Sequence, residues 1–535
     1  MNPYASMKMW TPALPDRTLD ETFRARAAVA PERIAIEDDD RTATYEALDR
    51  MADCGARRLA DEFGVIPGAV IPIAADASIR CIAALIAIFR AGAAYLPIAS
   101  GAGGARLERL AAHASVDLAL ADAPRLEEVR TLSARALTLD MLFEASERAS
   151  PFPGRASLTG LAYVIPTSGS TGEPKGVMVH HLGIANLVRA MTETWPLDET
   201  SRVLQFASLG FDASVPEWAG PLSVGGRIVL KPQSDLLVGD RLRDFVADKG
   251  LTFIKMPSAV LRTVSTAPLP SVRTIVTAGD ACTDELVERW ARGRRFFNCY
   301  GPTEVSIGST MARLTPGADV TIGAAHPNLS AIVLDATLSP TPPGAVGELY
   351  MGGIGVSWGY VGQPGLTADR FVPDPFSKSP GARLYRTGDL VRIVENGELA
   401  FEGRIDDQVK IRGFRIELGD VERAMLSHSS VEQAAAVAEN ETLIGFYTAS
   451  SPVDASALSD HLAARLPRYM TPNRLIALPS MPLTVNGKVD RKALLARVRT
   501  DGVFALPKVG GDLATIARIW AKHLRCDIPV RASFV

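Results

Sequence analysis

Cysteine is scarce in this chain. Its five residues, Cys54, Cys81, Cys282, Cys299 and Cys526, are scattered, odd in number and never spaced as CxxC. That pattern argues against a disulfide framework or a zinc site and fits a reducing cytoplasm. Histidine is equally thin, with seven residues in 535. The adjacent pair His180 and His181 has no nearby Cys or carboxylate ligand set, so an ordinary structural role is expected of it rather than metal binding. An excess of either charge is also lacking: 57 basic against 60 acidic residues leave a net charge of -3. Nucleic acid or an anionic membrane therefore has no electrostatic pull on it. Long hydrophobic runs are missing too. The most apolar stretch, "CIAALIAIF" from Cys81 to Phe89, is bounded by Arg80 and Arg90. It is too short to span a bilayer and reads as a buried helix. No basic stretch followed by an apolar run opens the chain, so no secretory signal is expected. What remains is ordinary globular composition, 47% apolar and 22% charged. At this length roughly two to four domains are expected.

From Leu19 to about Asp335 the chain alternates strand-like and helix-like segments. "AVIPIAA", "LAYVIP", "GRIVLKP", "LTFIKMP" and "VRTIVTAG" read as strands, and "ASIRCIAALIAIFRAG" and "DELVERWARG" as helices. Such alternation predicts an α/β fold with parallel sheets covered on both faces. Between Ile322 and Leu390 glycine and proline thicken and turn dipeptides such as Asn396-Gly397 follow, which suggests an antiparallel or small barrel-like unit. Charges then crowd into "GRIDDQVKIRGFRIELGDVE", Gly403 to Glu422. Beyond it Leu458, Leu462 and Leu466 recur every four residues, an apolar helix stripe ended by Pro467. The expected division is a large domain over residues 1–405, a small α+β domain over 406–499, and a linker with the start of a further helix over 500–535.

The segment "PTSGSTGEPKG", Pro166 to Gly176, can be neither strand interior nor helix, because glycine and proline disfavour both. It is a loop with free amides, hydroxyls and one lysine, suited to phosphate. It is not a Walker loop: the spacing from Gly169 to Lys175 is wrong, and Gly176 stands where a magnesium-binding Ser or Thr belongs. Taken alone, a flexible Ser/Gly loop is the simpler explanation. Three further segments join it. "NCYGPTE" (Asn298 to Glu304) sets an aromatic ring beside a turn and a carboxylate, "YRTGDL" (Tyr385 to Leu390) puts an acid after a glycine turn, and "NGKVDR" (Asn486 to Arg491) carries a lysine on an Asn-Gly turn.

Together these segments resemble the adenylation domains of nonribosomal peptide synthetases, within the superfamily of acyl- and aryl-CoA synthetases and luciferases. The resemblance runs in order through "TATYEAL" (Thr42 to Leu48), "FRAGAAYLPI" (Phe89 to Ile98), the Ser/Gly loop, "FDAS" (Phe211 to Ser214), "NCYGPTE", "GELYMGG", "YRTGDL", the "GRIDDQ" stretch, "LPRYMTP" (Leu466 to Pro472) and "NGKVDR". It implies a ligase that joins an amino acid to ATP, releasing pyrophosphate, and then moves the acyl group to the phosphopantetheine thiol of a carrier protein. By that resemblance Thr167, Ser168, Gly169, Ser170, Thr171, Gly172 and Lys175 hold the β- and γ-phosphates. Tyr300 stacks on adenine with Asn298 at its edge, Thr303 approaches the α-phosphate, and Glu304 holds magnesium. Asp389 accepts the ribose hydroxyls with Arg404 close by, Lys488 bridges carboxylate and α-phosphate, and Asp406 is the hinge of a mobile small domain. A surface role for Lys488, on its Asn-Gly turn, is the plainer alternative.

The same resemblance implies that Asp212 pairs with the substrate's α-ammonium, since an unpaired buried carboxylate is costly. Ala213, Pro216, Lys255, Val276, Ala278, Cys299, Ile307 and Gly308 then surround the side chain. Lys255 on a buried strand end either meets a substrate carboxylate or carboxamide, or snorkels to solvent or pairs with a protein acid. The family's pockets for aspartate and asparagine resemble this one, although Ala213 and Pro216 depart from them; a small neutral amino acid is the alternative. Ala99, Pro166 and Phe401 also depart from the family pattern. The tail after "PKVGG" resembles the first helix of a peptidyl carrier, but Leu513 stands where the pantetheine-bearing serine belongs. The carrier is thus expected elsewhere, and a small helper protein is a further candidate partner. Nothing resembling a condensation domain precedes residue 19, which suggests an initiating module or part of a longer chain. Two other readings compete: an acyl-CoA ligase of the same superfamily, which Asp212 argues against, and a non-catalytic module on this fold, which Lys175, Glu304, Asp389 and Lys488 argue against.

Overall fold

The computed structural model describes residues 13–99, 105–144, 150–167, 175–232, 237–265, 269–405, 408–411, 414–439, 441–451, 453–482 and 489–500. Ser168 to Gly172, Asp406, Lys488 and the tail after residue 500 lie outside them. The chain divides after Glu417 into two compact units, Met1–Glu417 and Leu418–Val535. The division falls later than the expected 405/406, because the hairpin Gln408–Ile411 with Phe414–Glu417 belongs to the first unit.

Two parallel-rich sheets build most of the first unit. The larger has nine strands. Its parallel centre runs Arg295–Tyr300, Thr274–Ala278, Phe253–Met256, Arg202–Gln205, Arg227–Leu230, Ile34–Asp38, with antiparallel strands at both edges. The second has six strands, parallel except for Lys175–His180 at one edge. Strands buried on both faces need continuous apolar runs, and Val70–Ala74 is buried at every position. All the strands expected from sequence form. The expected barrel-like unit is a five-stranded antiparallel sheet that no pairing closes among the described residues.

The apolar stretch at residue 81 is a buried helix, Ile79–Arg90, opened by Ser78, whose hydroxyl accepts from the Cys81 amide. A helix apolar all round has nowhere to go but the interior. Its last residue is the surprise: Arg90 is fully buried and meets Asp20 at 2.8 Å, Asp53 at 2.8 Å and Asp49 at 2.6 Å. His180 turns out to be structural, capping the helix His181–Thr194 by accepting from the Gly183 amide at Nδ1. No helix among the described residues is long and apolar enough to cross a membrane.

The second unit packs helices on a three-stranded sheet of Val431–Glu439, Thr442–Ala449 and Arg474–Ala477. Its helix Ala455–Ala463 buries Leu458 and Leu462 fully, while Leu466 is buried just past the helix end.

Candidate active site

Register in the large sheet brings together four of the residues expected to surround a substrate side chain. Side chains directly opposite one another share a face of the sheet, and the face alternates along each strand. Lys255 lies opposite Val276, and Ala278 opposite Cys299. Those four residues therefore line one face, where Val276, Phe253 and Phe297 pack with Leu187 and Trp195, and Cys299 and Ile307 lean against them. Asn298, between Phe297 and Cys299, points to the other face and donates its side-chain amide to the Thr321 carbonyl at 2.7 Å. Burial pushes the Cys299 thiol up to about 12, so it acts as an apolar wall rather than a nucleophile.

Asp212 opens the short turn Asp212–Ser214, ahead of the helix Val215–Val224 that carries Pro216. Thr303 and the Ala213 amide stabilise the charged form of its carboxylate. Its Oδ2 is nevertheless buried with no hydrogen-bond partner. Burial drives the acid's pKa above the ordinary value, against the pull of Thr303 and Lys255. Such an orphaned anion is costly unless a ligand cation completes it.

Of the two partners considered for Lys255, the structure supplies a protein acid. Its Nζ donates to the Ala213 carbonyl at 2.8 Å and lies 3.5 Å from Glu217 Oε1, both side chains being buried. Glu217 was not among the residues read from sequence. An acid in the apolar run "PEWAGPL" was its only signal.

The opposite wall is a strained loop. Ser306 and Ile307 both have positive φ, 55° and 76°, and a β-branched residue there is a genuine outlier. The surroundings hold it: the Ser306 hydroxyl donates to the Gly355 carbonyl at 2.7 Å, and the Ser309 amide to Tyr300. Gly183 makes room for it, since a Cβ there would lie 2.1 Å from Ser306 Oγ. Gly183→Ala is thus expected to destabilise the protein by about 1–3 kcal/mol through overpacking and to raise the KM for the amino acid. Adding Ser306→Ala should restore most of both, as read by denaturant unfolding and steady-state kinetics. Unchanged stability and KM in the single variant would contradict the packing account.

The nucleotide side gathers residues from distant segments. Asp389 joins the Tyr300 hydroxyl at Oδ2 and Arg404 at Oδ1, and it is buried. Glu304 is buried, and its Oε1 accepts from the Tyr360 hydroxyl at 2.8 Å. Lys175 Nζ lies 5.9 Å from the centre of the Tyr360 ring and 3.8 Å from Glu417. Neither Tyr360 nor Glu417 was assigned a role from sequence. Tyr360 sits between glycine and valine without a charged neighbour, and Glu417 lay unremarked inside a recognised motif. No cluster of three or more metal-binding side chains occurs among the described residues. A lone buried carboxylate such as Glu304 suits magnesium that takes its remaining ligands from phosphates and water. Thr303, which lowers the Asp212 pKa, adjoins Glu304, which meets Tyr360.

A buried acid with an unpartnered oxygen and a separate gathering of Lys, Glu, Tyr and Asp side chains are the groups expected of an adenylate-forming enzyme. Comparison with known proteins agrees. The AMP-binding enzyme family matches residues 23–361, and its C-terminal domain matches residues 420–488. The chain is 38% identical over 523 residues to one of the linear gramicidin synthase subunits of Brevibacillus parabrevis, covering 95% of this chain and 10% of that protein. It is 38% identical over 504 residues to novobiocin biosynthesis protein H of Streptomyces niveus, covering 90% of this chain and 84% of that one. Among solved structures, an NRPS protein containing adenylation and PCP domains, bound to a vinylsulfonamide inhibitor, superposes with a TM-score of 0.83 at 26% identity, over 98% of this chain and 89% of that one. The chain belongs to the AMP-binding enzyme family, as an adenylate-forming ligase of the nonribosomal peptide synthetase adenylation type. It spans about a tenth of the length of the gramicidin synthase protein it matches.

Proposed function

We propose that this chain activates a free amino acid and delivers it to a carrier protein. The α-carboxylate attacks the α-phosphorus of ATP; a new P–O bond forms, the bond to the β-phosphate oxygen breaks, and pyrophosphate leaves. In the second step the pantetheine thiolate attacks the acyl carbon and AMP departs. The observation that carries the amino-acid reading is Asp212: a buried carboxylate oxygen with no partner, next to the Thr303–Glu304 turn.

Such phosphoryl chemistry is driven by positioning and charge neutralisation. Lys175 and the loop from Thr167 to Gly172 orient the terminal phosphates. Tyr300 and Asn298 receive the adenine, and Asp389 with Arg404 the ribose. Glu304 holds magnesium, which supplies charge neutralisation on the phosphates. Val276, Ala278, Cys299, Ile307 and Gly308, with Ala213 and Pro216, shape the side-chain cavity for an aspartate-like or asparagine-like substrate. The small domain turns about Asp406 between the two steps, and Asp406→Pro should block thioester formation while adenylation continues; intact thioester formation would remove the hinge. A carrier protein is the acceptor in the second step, and a small helper protein is a further partner to test.

Lys488 is the charge expected at the reacting centre. Removing one such donor typically costs about 10²–10³ in rate. Lys488→Ala should therefore lower amino-acid-dependent ATP–pyrophosphate exchange by that factor, yet leave transfer from a pre-formed aminoacyl-adenylate to the carrier nearly intact. Equal loss in both steps would point to a structural role. Exchange with no amino acid, helper protein included, would contradict the proposed function.

A further inference from the structure

The observation that goes beyond this reading is the company Lys255 keeps. An ammonium has three N–H bonds. Two meet protein acceptors, the Ala213 carbonyl at 2.8 Å and Glu217 Oε1 at 3.5 Å, which leaves one donor without an acceptor among the described residues. Glu217 is in turn surrounded by donors. Its Oε2 accepts from the Phe206 and Ala207 amides, both at 2.8 Å, and the Gln205 side-chain amide lies at 3.4 Å. Burial raises its carboxyl above the ordinary value, and Lys255 with the Ala207 and Phe206 amides offsets only part of that rise. Its hydrogen-bond partners among the described residues are all donors, which suits the ionised form.

Lys255 and Glu217 cancel within their ion pair, with Lys231 also acting on Glu217, and Asp212, which feels Glu304 as well, is left for the substrate's α-ammonium. A side-chain carboxylate would add a charge in a buried site, where an unmatched charge is expensive. A neutral side chain ending in an oxygen acceptor would take the remaining Lys255 donor with no charge left over.

We propose that Glu217 is a specificity-determining residue, which neutralises Lys255 and so tunes the pocket to a neutral, acceptor-bearing side chain such as a carboxamide, and against a carboxylate. This rests on the proposed amino-acid activation and narrows its substrate. Glu217 reaches no reacting atom; it acts through Lys255.

The test is ATP–pyrophosphate exchange by the full chain with asparagine, glutamine, aspartate, glutamate and the small apolar amino acids, for the wild type and Glu217→Gln. In the wild type the better of the two amides should exceed its matching acid at least tenfold in kcat/KM. In Glu217→Gln, where Lys255 keeps its charge but loses its counterion, that ratio should fall by tenfold or more and approach or cross unity. The wild-type panel decides even if the variant fails to fold. An acid preferred over its amide, or a small apolar amino acid preferred over both, overturns the proposal while leaving amino-acid activation standing. A ratio unmoved in a folded Glu217→Gln protein also overturns it. Exchange with no amino acid at all brings down the activation reading itself, and this inference with it.

Discussion

Asp212→Asn will cost activity without costing stability. The neutral amide removes the partner of the substrate's α-ammonium. Breaking a buried ion pair from one side costs about 3–5 kcal/mol; at roughly 1.4 kcal/mol per tenfold this lowers kcat/KM for the amino acid by about 10²–10⁴. The stability effect has the opposite sign. Asp212 Oδ2 is buried without a partner, and burial raises the folded-state pKa of the group. An acid raised in this way favours the folded state only when protonated, below its unfolded value. Its contribution is lost as the pH rises through the folded value, so at neutral pH the ionised group is a burden in the empty protein. Asp212→Asn should therefore unfold in urea at the same or a higher midpoint than the wild type at pH 7. A structural carboxylate would behave otherwise, and a variant weaker in both activity and stability would contradict the ammonium-site assignment.

Arg90→Met should be the most damaging single change to the fold. The methionine keeps much of the apolar volume, so the result reads the charge. Asp20, Asp49 and Asp53 all converge on the buried guanidinium, while Arg24 pairs with Asp53 at 2.8 Å and acts on Asp20 only through its charge. Stranding a buried acid by removing its partner costs about 3–5 kcal/mol, a large share of a typical folding stability of about 5–15 kcal/mol. Chemical denaturation should show that loss. Asp20→Asn added to Arg90→Met should recover part of it, because Asp20 is the most deeply buried of the three acids. A loss below about 1 kcal/mol would mean that the acids reach water or protonate without consequence.

These two residues mark what the sequence could and could not disclose. Asp212 was legible because it lies inside a contiguous motif. Arg90 was legible only as the polar flank of an apolar run. Its three acids come from the first helix of the chain and from residues 49 and 53 of a second, and spacing alone does not say that they meet one guanidinium. Three strands of the large sheet were readable from their β-branched runs, which carry Lys255, Val276 and Ala278, whereas the role of those residues and of Cys299 came only from the family resemblance. The neighbours that decide what those residues do were not legible. Glu217 reaches Lys255 from the helix after the Asp212 turn, and Tyr360 reaches Glu304 across 56 residues. The barrel-like expectation failed to close for a similar reason. Turn dipeptides report that strands pair back on themselves, but closure depends on which edges meet, and here none do among the described residues.

The central claim is that the amino acid's own carboxylate oxygen attacks the α-phosphorus of ATP. It is tested most directly by supplying the preferred amino acid with both carboxyl oxygens replaced by the heavy isotope, and analysing the AMP released after transfer to the carrier thiol. The account predicts AMP that carries one heavy oxygen, formed only when the amino acid is present. Unlabelled AMP, or cleavage to ADP and phosphate, would mean that the carboxylate never bonds to that phosphorus, and would contradict the adenylation chemistry proposed for this site.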